Sequence, residues 1–244
     1  MFPQELKLAK VVPIFKAGDV MKVNNYRPVS VLSVMSKVLE RLMYNRLFDF
    51  IEKFKILYDL QFGFRKDHAT YMALMVVVDK IIKSLEKGEF TIGLFLDFSK
   101  AFDTIDHDVL FLKLNHYGIR GVALSWLKSY MTNRSQYVSY NGHQSATRVI
   151  RCGVPQGSIL GPLLFLIYVN DLASVSDFLI SALFADDTNM FASGQDIDYL
   201  QSKFNSELKN ISLWLQVNKL SLNVDKSHFM VFTGGRQGNP VTLE

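Results

Sequence analysis

The 244-residue sequence predicts an α+β fold built on a split βαβ antiparallel sheet, and three observations carry that prediction. The apolar run TIGLFL, residues 91–96, ends on Asp97, as a central strand buried on both faces would. The stretch FLISALFADDTNMFA, residues 178–192, reads as a β-hairpin with Asp186 and Asp187 at its tip. Counted from residue 91, the order is strand, helices, strand pair, helix and strand, if a hairpin over 136–151 is an insertion. In that topology the first and third elements are neighbours, which places Asp97 beside Asp186.

Taken in order, LAKVVPIF (8–15) predicts a strand, turned by Lys16, Ala17, Gly18 and Asp19 into a return segment reaching Tyr26, Arg27 and Pro28. Helical spacing of Val38, Leu39, Leu42, Met43, Leu47 and Phe50 predicts a helix from Ser33, its N-cap, with that stripe in the core. After the loop QFGFR (61–65), Asp67 is the expected cap of a helix to Lys87 that Gly88 closes. Beyond Asp97 a helix runs to about Tyr117 with Gly118 as its stop, and another covers Val122 to Met131. Asn141 and Gly142 join two alternating runs, a strong hairpin signal. The hairpin delivers the loop GVPQGS (153–158), and a helix opening between Ser158 and Pro162 follows. Leu200, Phe204, Leu208, Ile211 and Leu215 mark one face of a helix from Ile197 to Asn218, and a loop with Lys226 leads into a last strand.

Composition narrows the function classes. With 49% hydrophobic and 13% aromatic residues the chain buries a substantial core. One cysteine, Cys152, excludes an internal disulfide framework and is expected to be a packed thiol, and the five histidines lack the paired spacing of a zinc site. No apolar run approaches the roughly 20 residues of a spanning helix, and the N-terminus has no signal-like core. A soluble, intracellular protein is expected. Charge divides unevenly. Residues 1–88 hold 15 Lys+Arg against 9 Asp+Glu, and residues 89–244 hold 12 against 14. A polyanion would be steered to the basic first third, and the acidic excess fits metal-binding carboxylates in the remainder.

Those carboxylates define the chemistry. If the two strands are neighbours, Asp97, Asp186 and Asp187 converge, and at ~5 Å with an effective dielectric of about 20 each pair repels by roughly 3 kcal/mol. Such crowding asks for divalent metal. All-oxygen ligation with open positions suits Mg²⁺, and two ions suit in-line phosphoryl transfer.

At this point the segments AKVVPIFKAGD, NYRPVSVLSVMSKVLERL, QFGFRKDHAT, LDFSKAFDTIDHDVL, GVPQGSILGPLLFLIYVNDL, FADDT and LSLNVDKSHFMVF, in that order, resemble the reverse transcriptases of non-LTR (LINE-like) retrotransposons. The resemblance implies an RNA-directed DNA polymerase of right-hand architecture. Residues 1–88 would be a fingers-like basic lobe and 89–234 a palm with its helices on one face of the sheet. Residues 235–244 would be a frayed tail, the thumb would be absent, and so would the endonuclease of the parent polyprotein. It implies Asp97, Asp186 and Asp187 as ligands of two Mg²⁺ ions, with Mn²⁺ a possible substitute and the Phe98 carbonyl a further ligand. It also implies Lys226 as proton donor to pyrophosphate, and Phe102 against the sugar of the incoming nucleotide. Gln156, with Gly153 and Gly157, would lie at the nucleotide. Lys16 and Arg27 would grip the triphosphate, and Arg65 the template or nucleotide. The partners would be an RNA template, a DNA primer and dNTP. The alternative is a catalytically silent nucleic-acid-binding remnant of the same fold. An RNA-dependent RNA polymerase is disfavoured by Phe102, whose bulk excludes ribonucleotides.

Overall fold

The computed structural model describes residues 1–235 and 241–243, so the frayed tail expected over 235–244 lies largely outside the described residues. In chain order the elements are β1 (Leu8–Phe15), β2 (Tyr26–Val31), α1 (Val34–Lys53), α2 (Thr70–Glu86), β3 (Phe90–Leu96), α3 (Ala101–Thr104), α4 (His107–His116), α5 (Gly121–Met131), β4 (Ser135–Tyr140), β5 (His143–Gln144), β6 (Arg148–Val149), α6 (Leu160–Val169), β7 (Ile180–Phe184), β8 (Asp187–Gly194), α7 (Ile197–Val217) and β9 (His228–Phe232). They divide into two compact units, residues 1–56 with 102–168, and residues 57–101 with 169–244.

The first unit is built on a mixed sheet. β1 pairs antiparallel with β2 from Lys10↔Val31 to Phe15↔Tyr26, and parallel with β4 from Leu8↔Ser135 to Val11↔Val138. The Asn141–Gly142 turn has the two positive φ values, 49° and 80°, of a two-residue hairpin. The hairpin is short, however: β4 pairs with β5 only at Ser139↔Gln144 and Tyr140↔His143, and β6 returns to the base of β4. None of these strands belongs to the split βαβ sheet, as expected of an insertion, and β4 instead joins this unit's sheet as the neighbour of β1. α6 is apolar on every side and lies in the core, with Leu160, Leu164, Phe165, Ile167 and Tyr168 fully buried.

Three expectations for this unit need correction. Ser33 does cap α1, accepting from the Ser36 N–H, and of the expected stripe Leu47 is buried and Leu39, Met43 and Phe50 are half-buried, but Val38 and Leu42 are not core. Both are exposed, and the inward face carries Ser36, Glu40, Leu47 and Ile51. The reason is a polar demand: Glu40 satisfies backbone donors at the start of α6. The helix expected up to Tyr117 is broken into α3 and α4, since Asp106 caps a new start by accepting from the Asp108 and Val109 N–H groups. Cys152 is exposed and not packed, because it sits in the irregular link between β6 and the GVPQGS loop.

The second unit is a four-stranded sheet ordered β7-β8-β3-β9 with every neighbouring pair antiparallel. That is the split βαβ order. β3 is buried along its length except at Phe95, which an unbroken apolar run requires. Helices on one face only were expected, and the structure has them on both. Ser84 of α2 donates to Ser193 on the face that Ser193 shares with its partner Thr91. Leu200 of α7 lies against Gly194, on the opposite face, which Gly194 shares with Phe90. A strand apolar at successive positions can bury them only between two layers. α2 itself begins at Thr70 after Ala69, and Asp67 is not its cap. Asp67 has φ 59°, a left-handed conformation that removes its side chain from a capping position.

Candidate active site

In the second unit the last register pair of β3 and β8 is Leu96↔Thr188. One step further Asp97 stands opposite Asp187, the first residue of β8, while Asp186 lies at the apex of the β7–β8 turn. The charges of Asp186 and Asp97 both act on Asp187, although among the described residues no three His, Cys, Asp or Glu side chains are grouped closely enough to hold a metal ion. Burial pushes the Asp187 carboxyl up, Asp186 and Asp97 push it further, and Lys226 opposes them. A cleft opens beside this point, walled by Thr70, Ala73, Leu74 and Val77 of α2 and reaching Asp97, Asp187 and Lys226.

Asp97 is held from the loop before β9. Its Oδ2 accepts from Asn223 Nδ2 at 2.9 Å and lies 3.9 Å from Lys226 Nζ. Its carbonyl accepts from the Asn223 N–H at 2.8 Å, and its N–H donates to Ser227 Oγ. Phe98, buried, bridges to Leu222. The loop therefore extends the sheet past its last strand residue, which fixes Asp97 where the strand itself ends.

The turn carrying Asp186 is strained and braced. Ala185 has φ 58°, the region glycine favours, at the first position of a two-residue turn. The QFGFR loop supports it. Gln61 Oε1 accepts from both the Gly63 and Ala185 N–H groups, and the Phe62 and Leu183 N–H groups bond the Leu183 and Leu60 carbonyls in turn. Gly63 is required by contact, since a Cβ there would lie 2.1 Å from the Ala185 nitrogen. Arg65 binds the Tyr58 and Gln61 carbonyls through Nη1, so it braces the same loop. Sequence reasoning singled out Arg65 and missed Gln61, Gly63 and Asn223. The motif QFGFR carried a usable signal, a glycine between two aromatic residues where close backbone approach is needed. Nothing local marked Asn223.

In the first unit the GVPQGS loop is tied down at both ends. Gly153 donates to the Ile105 carbonyl at 2.7 Å and accepts from His107 Nε2, and Val154 donates to the Phe102 carbonyl. Gly153 and Gly157 have φ 81° and 110°, and a Cβ on either would lie within 2.7 Å of the Asp103 or Ser30 carbonyl oxygen. Gln156 donates from Nε2 to Asp103 Oδ1 at 2.8 Å, and its carbonyl accepts from the Ser30 N–H at 2.7 Å. Phe102 stacks on Phe165 with centroids 4.5 Å apart. Lys16 and Arg27, both exposed, share one face of the β1–β2 hairpin, because Arg27 pairs with Ile14, two residues before Lys16.

A family model described as reverse transcriptase (RNA-dependent DNA polymerase) matches residues 14–241. Among curated proteins, the chain is 32% identical over 240 residues to the RNA-directed DNA polymerase from mobile element jockey of Drosophila melanogaster. That match covers 95% of this chain and 26% of the relative. It is also 32% identical over 246 residues to the probable RNA-directed DNA polymerase from transposon BS of the same organism, again 95% of this chain and 26% of the relative. The chain thus spans about a quarter of the length of these relatives. Among solved structures, apo telomerase from Candida tropicalis superposes with a TM-score of 0.68 at 12% identity, over 94% of this chain and 45% of that one. At that identity the likeness concerns the fold alone. Among the described residues no helix is long and apolar enough to cross a membrane.

Proposed function

The chain belongs to the reverse transcriptase (RNA-dependent DNA polymerase) family, and from that premise we propose that it transfers nucleotides from dNTP to the 3′-hydroxyl of a DNA primer paired with an RNA template. The observation that carries this reading is the placement of Asp97 opposite Asp187, with Asp186 at the turn and Lys226 at their edge. In functional terms residues 1–88 are the fingers-like lobe and 89–234 the palm, a division distinct from the two compact units.

The donor set fits hard divalent cations. It is oxygen only, and the Asp187 carboxyl is pushed up first by burial and then by the Asp186 and Asp97 charges, the latter a repulsion that a cation would relieve. Among the described residues no three His, Cys, Asp or Glu side chains are grouped closely enough to hold a metal ion by themselves; Mg²⁺ keeps waters and substrate oxygens in its shell. Asp97, Asp186, Asp187 and the Phe98 carbonyl would hold it. When bound, two Mg²⁺ ions, or Mn²⁺ in their place, supply acidification of the 3′-hydroxyl and neutralisation of the departing pyrophosphate.

The chain's own residues do the positioning. Asn223 orients Asp97 so that one carboxylate oxygen is fixed. Lys226, with over half its side chain exposed, can deliver a proton to the pyrophosphate. Gln156 on its clamped loop and Phe102 on Phe165 meet the nucleotide. Lys16 and Arg27 hold phosphate as a point charge and a bidentate fork, and Arg65 acts on template or nucleotide through the loop it braces. Primer extension by the purified 244-residue chain on an RNA–DNA hybrid with Mg²⁺ tests this reading. Template-directed incorporation is expected. Salt-sensitive hybrid binding with no extension would instead make the chain a silent nucleic-acid-binding remnant.

A further inference from the structure

We propose that Glu40 is a positioning residue for nucleotide binding, fixing the GVPQGS loop and hence Gln156 through the first turn of α6. The inference rests on the reading that this loop meets the nucleotide. Glu40 is fully buried on α1. A carboxylate in such a place is costly unless every oxygen is satisfied, and here both are. Oε1 accepts from Ser36 Oγ at 2.9 Å, while Oε2 accepts from the Ile159 N–H at 2.7 Å and the Leu160 N–H at 3.4 Å. Those donors are orphans of the α6 N-terminus, where negative charge is favoured. Ser158 completes the turn, donating to the Pro155 carbonyl and accepting from the Gly161 N–H. The rigid join from loop to helix thus includes Pro155 to Gly161, with Gln156 inside it.

A second clamp comes from the same stretch of chain. Ser30, in β2, donates to the Gln156 carbonyl, and Gly157 packs on the Ser30 carbonyl oxygen. The segment NYRPVSVLSVMSKVLERL therefore grips the loop from two sides, at Ser30 and at Glu40. With Ser36 and Glu40 inward beside Leu47 and Ile51, α1 leaves Val34, Met35, Val38 and Leu42 exposed. The neighbouring Tyr130 hydroxyl, also fully buried, is pushed upward first by burial and then by the Glu40 charge.

The test uses the 244-residue chain with Glu40→Ala, Glu40→Gln and, as a core control, Leu114→Ala, a fully buried position of the same unit with no bond to the loop. Single-nucleotide incorporation should show KM for dNTP raised about 10-fold or more in Glu40→Ala, as for removal of a partner that orients a ligand. The rise should be a few-fold in Glu40→Gln, whose amide oxygen retains the contact with α6, and kcat should change less than KM. Leu114→Ala should lose stability without a rise in KM. Hydrogen exchange should deprotect the amides of residues 156–161 in both Glu40 variants and not in Leu114→Ala. Equal KM in all variants, or unchanged exchange over 156–161, overturns the proposal. A wild-type chain that incorporates nothing would overturn the polymerase reading instead, and exchange over 156–161 would then decide the clamp by itself.

Discussion

In the first unit Glu40, Arg134 and Lys7 are 0%, 1% and 5% exposed, whereas in the second Asp97 keeps 29% of its side chain in solvent and Asp187 is exposed. The buried charges hold backbone: Glu40 binds the α6 N-terminus, and Arg134 donates from Nη1 to the Tyr130 carbonyl while lying over that residue's ring at 4.9 Å. The exposed charges stay available to a ligand. A similar contrast separates the two functional turns. The GVPQGS loop places glycines at its positive φ values, and the FADD turn places Ala185 there and holds it with Gln61 and Gly63. Charge inside the protein therefore serves shape, whereas charge at the rim is left accessible for the chemistry proposed above, and the left-handed Ala185 lies in the turn that carries the rim carboxylates.

The largest expected effect comes from removing rim charge. Asp97→Asn or Asp186→Asn should reduce incorporation to background in primer extension while circular dichroism stays unchanged. Without Mg²⁺ neither should melt below wild type, because like-charge repulsion is relieved. Next is Phe102→Val, which opens space beside Phe165. Relative use of ribonucleotides should rise by up to about 10²-fold, the scale on which misplacement near 1 Å affects rate, as measured by paired single-nucleotide kinetics. An equal loss with both substrates would make Phe102 a core residue only.

The braced turn gives the next effects. Gly63→Ala puts a methyl group into the Ala185 backbone and should cost about 1–3 kcal/mol or more in urea unfolding, with activity falling alongside. Ala185→Gly should act oppositely. Relief of a left-handed alanine, worth about 1–2 kcal/mol, is partly offset by the 0.5–1 kcal/mol entropic penalty of glycine. A net gain of about 1 kcal/mol or less is expected, and a loss would mean that the turn is not strained.

The smallest effect probes the buried charges of the first unit. Burial, then the Arg134 charge, lowers the Lys7 pKa below its ordinary 10.5. In the window between the lowered value and 10.5 the unfolded chain binds more protons than the folded one, so wild-type stability should rise with pH across it. Lys7→Met should be modestly more stable at neutral pH and lack that alkaline rise. Urea melts at a series of pH values check the sign.

What the sequence determined by itself is what depends on near neighbours. The unbroken run of β3, the four- and three-residue steps of α7, the Ser33 cap and the Asn141–Gly142 turn each express local sterics and hydrogen bonding, and each is present in the structure. The candidate carboxylates were legible for the same reason, as polar residues ending apolar runs. Tertiary structure alone decided which face of α1 turns inward, since the donors that draw Glu40 in lie 119 residues away. It decided that Asn223 holds Asp97 from 126 residues on, and that Gln61 supports a turn 124 residues later. Periodicity offers a helix or strand two faces of similar merit; only the distant groups left unsatisfied select between them.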